Sequence, residues 1–319
     1  MMHARHGWGC LASACSALLL IATGSDAAAA DAVRPLIAIE AGAHLQRVEN
    51  LFDNRARDEI LSTSVDGTVR IWSATDGKLL KTLVLPICAG EVAHVEKAGL
   101  SRQGNLLAVG LSWPDAAIGN WVALYDTNTA APPRMRRLSE QVSSVAFSDD
   151  ERRIAIATWD QVNVYRLPEF EVIATDEFSD VVWGLDFDPT GRLVAGSFDG
   201  QVRLYDKERF WPIAKTNTSV GKQITDIKFS PDRSRIAVGF NTGTAVEILS
   251  NQGLTQVAAL KPGGAEYDEL SRVAWSADGQ TVFALGTPKV PGESGKLPSE
   301  ILSWQLEGDG GGSWLPFRS

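Results

Sequence analysis

Three side chains near the start of the chain are of the types that make a nucleophile, a base and its orienting acid: Ser64, His44 and Asp66. A hydroxyl becomes a good nucleophile when an imidazole takes its proton and a carboxylate holds that imidazole in place. Histidine is otherwise scarce. Of the four in the chain, His3 and His6 lie in a leader-like start, which leaves His44 and His94. No Cys-x-x-Cys, His-Glu-x-x-His or Gly-x-Ser-x-Gly is present. Dithiol redox chemistry, a helical zinc site and a hydrolase elbow therefore lack their motifs. Gly292-Glu293-Ser294-Gly295-Lys296-Leu297 approaches a phosphate loop, but Val290 stands where the first glycine is needed and Leu297 where Ser or Thr belongs. The 39 Asp and Glu include no Asp-x-Asp-x-Asp run, so they read as turn-formers and surface charge, not as calcium ligands. The expectation is a chain without catalytic residues, metal or cofactor.

Charge and the amino terminus narrow the class further. A net charge of −9 is the wrong sign for a nucleic-acid surface, and the short basic cluster Arg134, Arg136 and Arg137 reads as a solvated loop edge. The first thirty residues combine Arg5, an apolar run centred on Leu18-Leu19-Leu20-Ile21-Ala22, and small residues ending in Ala28-Ala29-Ala30. That order fits a secretory signal cleaved after Ala30, and the run is far below the ~20 residues that span a bilayer. A periplasmic or secreted protein follows, with residues 31–319 as one domain and no membrane span. Cleavage removes Cys10 and Cys15 and leaves Cys88 without an intrachain disulfide partner.

The elements that must position these residues show themselves as a repeat. Ser64-Val65-Asp66-Gly67-Thr68-Val69-Arg70-Ile71-Trp72 and Ser197-Phe198-Asp199-Gly200-Gln201-Val202-Arg203-Leu204-Tyr205 share one grammar: a strand end, an Asp-Gly turn, then an alternating strand closing on an aromatic. The closing positions Trp72, Tyr125, Tyr165, Tyr205, Leu249 and Trp304 are separated by 53, 40, 40, 44 and 55 residues. A second register runs between them: Val142-x-x-Val145-Ala146-Phe147, Val182-x-x-Leu185-Asp186-Phe187, Ile224-x-x-Ile227-Lys228-Phe229 and Leu270-x-x-Val273-Ala274-Trp275. Short β-branched runs between polar turns predict strands throughout and no helix.

This pattern resembles the WD-repeat family, whose four-stranded blades recur every ~40–45 residues, over roughly residues 36–317. Ile39-Glu40-Ala41-Gly42 and Leu270-Ser271-Arg272-Val273-Ala274-Trp275-Ser276-Ala277-Asp278-Gly279 look more closely like bacterial exported WD-repeat proteins, some fused to a caspase-like peptidase domain that is absent here. The resemblance implies an all-β propeller of four-stranded antiparallel blades, six of them readable. It also implies that His44, Ser64, Asp66 and Trp72 form a hydrogen-bonded lock within one blade, so the triad-like trio is structural. Ser197, Asp199 and Tyr205 are its counterparts in the fourth blade, and Asn241 stands where the fifth blade would have its Asp. Leu36-Ile37-Ala38-Ile39 and Trp314-Leu315-Pro316-Phe317 compete to be the outer strand of the last blade. Both fit only if a seventh blade exists, so open closure and a truncated relative of a larger caspase-linked sensor stay in view.

Extra length falls at 112–120, 287–300, 86–91 and 261–269, all predicted on one face of the propeller, while the other face has short turns. Loops on a rigid scaffold commonly carry function. Val65, Trp159 and Phe198 precede the turn residues of three blades on that face, with Phe240 nearby in a fourth and Trp113 and Trp183 as candidates to join them. An apolar centre with a polar rim suits protein recognition. The reading is a monomeric scaffold that binds a protein or peptide there, with a periplasmic propeller enzyme (lactonase, lyase or quinone-dependent dehydrogenase) as the alternative.

Overall fold

The computed structural model describes residues 42–88, 91–113, 115, 117–129, 131–263, 267–289, 299–306 and 314–318. Every regular element in them is a strand: four four-stranded antiparallel sheets form blades one to four, blades five and six are joined into one eight-stranded sheet by the pairing of Phe240 with Leu270, and a two-stranded hairpin follows blade one. Blade one comprises Val48–Asn54, Glu59–Ser64, Thr68–Ser73 and Leu79–Val84, and blade two His94–Leu100, Leu106–Ser112, Asn120–Asp126 and Arg134–Leu138. Blade three runs through Ser144–Phe147, Arg153–Ala157, Gln161–Arg166 and Glu171–Glu177, and blade four through Val182–Phe187, Leu193–Ser197, Gln201–Tyr205 and Pro212–Asn217. Blade five is Gly221–Phe229, Arg235–Gly243, Val246–Ser250 and Gln256–Leu260, and blade six is Tyr267–Trp275, Thr281–Pro288, Glu300–Leu306 and Trp314–Arg318.

Trp314–Arg318 thus takes the outer place of blade six, pairing with Glu300–Leu306. The competing residues 36–39 lie outside the described residues, as do the leader and most of the 287–300 insertion. The basic cluster is strand rather than loop edge. Arg134 and Arg136 sit in the outer strand of blade two and donate to the carbonyls of Pro168 (2.7 Å) and Phe170 (2.8 Å) in blade three. Cys88 is buried and disulfide-bonded, which corrects the expectation that it has no intrachain partner.

Middle strands are buried on both faces, so their alternation divides apolar residues between two neighbours instead of between core and solvent. In blade four Leu193 and Ala195 pack toward blade three, while Val194 packs toward blade five. Among the described residues, five apolar clusters join the blades in succession from one to six. The face of blade one turned away from blade two is polar instead, with Ser62, Ser64 and Arg70 buried on it.

Turn chemistry sets the register. Gly67 and Gly200 have φ of +77° and +88°, a region L side chains rarely adopt, and their N–H groups donate to Ser64 (3.2 Å) and Ser197 (3.0 Å) carbonyls. At the opposite end Ser148, Ser230 and Ser276 each donate to the Asp two residues on, at 2.6, 2.5 and 2.5 Å. Asp150, Asp232 and Asp278 then accept backbone N–H groups at 3.0 Å. The acidic residues of these turns are hydrogen-bonded architecture.

Candidate partner-binding face

Blade one holds the complete polar lock, with one change of member. His44 Nδ1 lies 3.0 Å from Asp66 Oδ2, and its Nε2 lies 2.6 Å from the hydroxyl of Ser62, not Ser64. Trp72 Nε1 donates to the same Ser62 oxygen at 2.8 Å. Ser62 and Ser64 share one face of the strand, but Trp72 pairs with Ile60, which sets its indole next to Ser62. Ser64 instead serves the turn, accepting from Asp66 N–H (3.1 Å) and donating to Gln46 C=O (3.3 Å). Burial alone would raise the Asp66 carboxyl, but hydrogen bonds from Thr68, Leu45 N–H and His44 outweigh it and hold the group below the usual carboxylate range. The Asp66–His44–Ser62 connectivity is that of a triad, but Ser62 is buried and its oxygen also accepts the Trp72 indole N–H, so the trio serves as a lock inside the blade.

Blade four departs further. Asp199 is gripped by Ser197 and by Ser179, which fills the place of the histidine. Tyr205 is not part of that group. Its hydroxyl donates to Asp176 in the outer strand of blade three at 2.7 Å, and Arg203 Nη1 reaches the same carboxylate oxygen at 2.7 Å. Arg203 also lies 3.8 Å over the ring of Phe178. In blade five Asn241 bonds Gln223 at 3.0 Å, a purely neutral pair.

Up-and-down alternation puts every second-to-third-strand turn and every connection between blades at one end of the ring. Val65, Trp159 and Phe198 lie there. Trp159 is 60% exposed, while Val65 and Phe198 are half-buried. The connection after blade one forms a small hairpin, Ile87–Cys88 with Glu91–Val92, and Val92 would collide with a side chain at position 67 (2.2 Å).

The other expected contact residues lie elsewhere. Phe240 is fully buried: the second strand of blade five runs on to Gly243, and the side chain fills the slot left by two glycines, where a Cβ at 221 would stand 3.0 Å from its ring and one at 243 would stand 2.8 Å from its Cβ. Trp113 is buried in the cluster between blades one and two, alongside Ile118 and Trp121. Trp183 lines the central channel, with Lys97 Nζ 5.3 Å from its ring centre.

That channel is a cavity of about 760 Å³ bounded by the inner strands of all six blades. Inner strands have a free edge, and side chains of the preceding blade satisfy it. Asp186 accepts from Phe229 N–H (2.8 Å) and Asp226 from Val273 N–H (3.2 Å); Ser143 and Thr225 donate to Val182 C=O (2.6 Å) and Ser271 C=O (2.7 Å). Lys228 sits 3.4 Å from Asp226 and 4.0 Å from Asp186. Protein surrounds Asp186 deeply enough that burial pushes its carboxyl up to about 6, against Lys228 and the Phe229 N–H. Among the described residues no group of three or more His, Cys, Asp or Glu is placed to hold a metal ion, and no helix is long and apolar enough to cross a membrane.

Residues 172–206, the outer strand of blade three through the third strand of blade four, match the family model described as WD domain, G-beta repeat. The chain is 27% identical over 190 residues to the WD repeat-containing protein 91 homolog of Dictyostelium discoideum, covering 56% of this chain and 23% of that protein. It is 30% identical over 164 residues to MST50-interacting protein 11 of Pyricularia oryzae, covering 48% of this chain and 50% of that one. The small ribosomal subunit protein RACK1 of Neurospora crassa is 29% identical over 164 residues, with 48% and 50% covered. The matched region is thus half or less of each relative's length. Asp-Gly turns, aromatic-closed third strands, four-stranded blades and these likenesses agree: the chain has a β-propeller-type fold similar to that of WD-repeat proteins, with residues 172–206 matching one WD repeat.

Proposed function

We propose that this protein is a non-catalytic binding platform, exported from the cytoplasm, that holds a protein or peptide partner on the face bearing Trp159. The observation that carries the reading is an indole 60% exposed on a short turn of a rigid blade, with half-buried Val65 and Phe198 at matching positions of other blades. A large aromatic held out of the core at no ordering cost is the kind of residue on which binding energy concentrates. MST50-interacting protein 11 and the small ribosomal subunit protein RACK1 are named for what they bind or join. The one hydroxyl that His44 reaches, Ser62, is buried and already accepts the Trp72 indole N–H, which favours a structural role for the trio.

A pull-down from periplasmic extract tests the reading. Wild type and a Trp211→Ala control should retain the same partner, while a Trp159→Ala, Phe198→Ala variant of unchanged melting temperature loses it. Trp211 is a matched control, being 63% exposed just after the third strand of blade four, at the opposite end of the ring. Equal capture by all three moves the site off this face. Export is tested separately: N-terminal sequencing of periplasmic protein should read Asp31 first, and a chain beginning at Met1 contradicts cleavage after Ala30.

A further inference from the structure

Eight charged side chains line the central channel, and their hydrogen-bonding needs are met unevenly. Each carboxylate already has donors: Asp186 and Asp226 have backbone N–H groups and share Lys228, Asp149 has Arg102 at 3.2 Å, and Glu49 has Arg47. Two cations lack the converse. Lys97 and Arg272 make no hydrogen bond or ion pair to an acceptor among the described residues, although they carry three and five N–H donors. They stand on the inner strands of blades two and six, close enough to feel each other's charge, with the face of Trp183 beside Lys97. Arg272 is exposed to the channel and Lys97 half-buried, so both keep donors that a ligand entering the channel can engage.

We propose that the channel is a carboxylate-binding site in which Lys97 and Arg272 grip one carboxylate beside Trp183. A guanidinium presents two parallel donors to a carboxylate, and the ammonium adds a point charge. Burial, and then Arg272, lowers the Lys97 amine below its ordinary range, and an anion between the two cations would relieve both effects. A singly charged group fits better than a phosphate dianion, because Glu49, Asp226 and Glu96 also act on this position and repel a second negative charge. The carboxylate belongs either to a free small acid or to an acidic side chain of a bound protein. Acid binding without partner capture, or capture without acid binding, separates this site from the Trp159 face.

Full-length exported protein labelled with 13C-lysine provides the test, the Lys97 ε-carbon signal being the one missing from Lys97→Met. It is titrated with acetate, with capped Gly-Glu-Gly, with phosphate and with chloride at constant ionic strength. The Lys97 signal should move saturably with a carboxylate probe, and in Arg272→Gln the same movement should need roughly ten-fold more of it. Response to acetate alone identifies a small-acid site, and response to the peptide alone a protein side chain. No saturable movement, an equal response to chloride, a stronger response to phosphate, or an unaltered titration in Arg272→Gln overturns the proposal.

Discussion

Blade one and blade four carry the same Asp-Gly turn and the same third-strand grammar, yet they use their polar residues for different ends. In blade one His44, Ser62, Asp66 and Trp72 bond to one another, so the network stays within a single blade and the segment leading into it. In blade four the aromatic at the end of the third strand turns away from the local serines and bonds across the seam. Tyr205 and Arg203 both hold Asp176 of blade three. A phenol reaches further than an indole N–H and accepts as well as donates, so replacing Trp by Tyr converts a clasp within a blade into a stitch between blades. The flanking surfaces agree. Blade one turns a polar face away from its apolar seam with blade two, whereas blade four is packed by apolar clusters on both sides.

The largest effect should come from cutting the stitch. Asp176→Ala leaves the buried Tyr205 hydroxyl and the buried Arg203 guanidinium short of an acceptor, at a cost of about 2–4 kcal/mol in chemical denaturation. A loss below about 0.5 kcal/mol would show that the seam is held by its apolar cluster alone.

Next comes a contrast in acid response between carboxylates of the two blades. Asp66 is held below its unfolded value, so its stabilisation is complete above pH 4 and lost as pH falls through the lower folded value. Asp186, facing Lys228, Asp226 and Asp149, is pushed up to about 6. The folded state then holds a proton that the unfolded state has released, so stability falls as pH rises from about 4 to 6, by on the order of 2–3 kcal/mol. Denaturation curves at pH 4.5 and 7.5 should show this loss in wild type and much less of it in Asp186→Asn. An unchanged slope in the variant removes Asp186 from the account.

The smallest pair of effects decides which serine belongs to the lock. Ser62→Ala strips one acceptor from both Trp72 and His44 and should cost about 1–3 kcal/mol, while Ser64→Ala, which loosens only turn bonds, should cost about 1 kcal/mol. The reverse order would restore Ser64 to the lock.

The fold was legible because it repeats: aromatic-closed strands, Asp-Gly turns and the inner-strand register recur closely enough to give six four-stranded blades. Contacts that depend on which of two equivalent positions is nearer were not legible. Ser62 and Ser64 share a strand face, and only the pairing of Ile60 with Trp72 selects between them. Asp176 lies 29 residues before Tyr205 in an outer strand, with no motif to link the two. Phe240 reads from the sequence as a surface aromatic near a turn, and the cue to its burial is the pair of glycines at 221 and 243. At the candidate face the sequence marked Trp159 correctly as a residue before a turn. It could not show that Trp113 folds back into a seam and Trp183 into the channel, since both follow from neighbouring strands.

Two tryptophans of nearly equal exposure on opposite ends of the ring, Trp159 and Trp211, supply the most direct test of the binding platform. A photo-crosslinking amino acid is placed at either position and the protein is irradiated in cells that export it. The account predicts a discrete protein adduct from position 159 and none from 211. Adducts from 211 alone, or from neither position, contradict it.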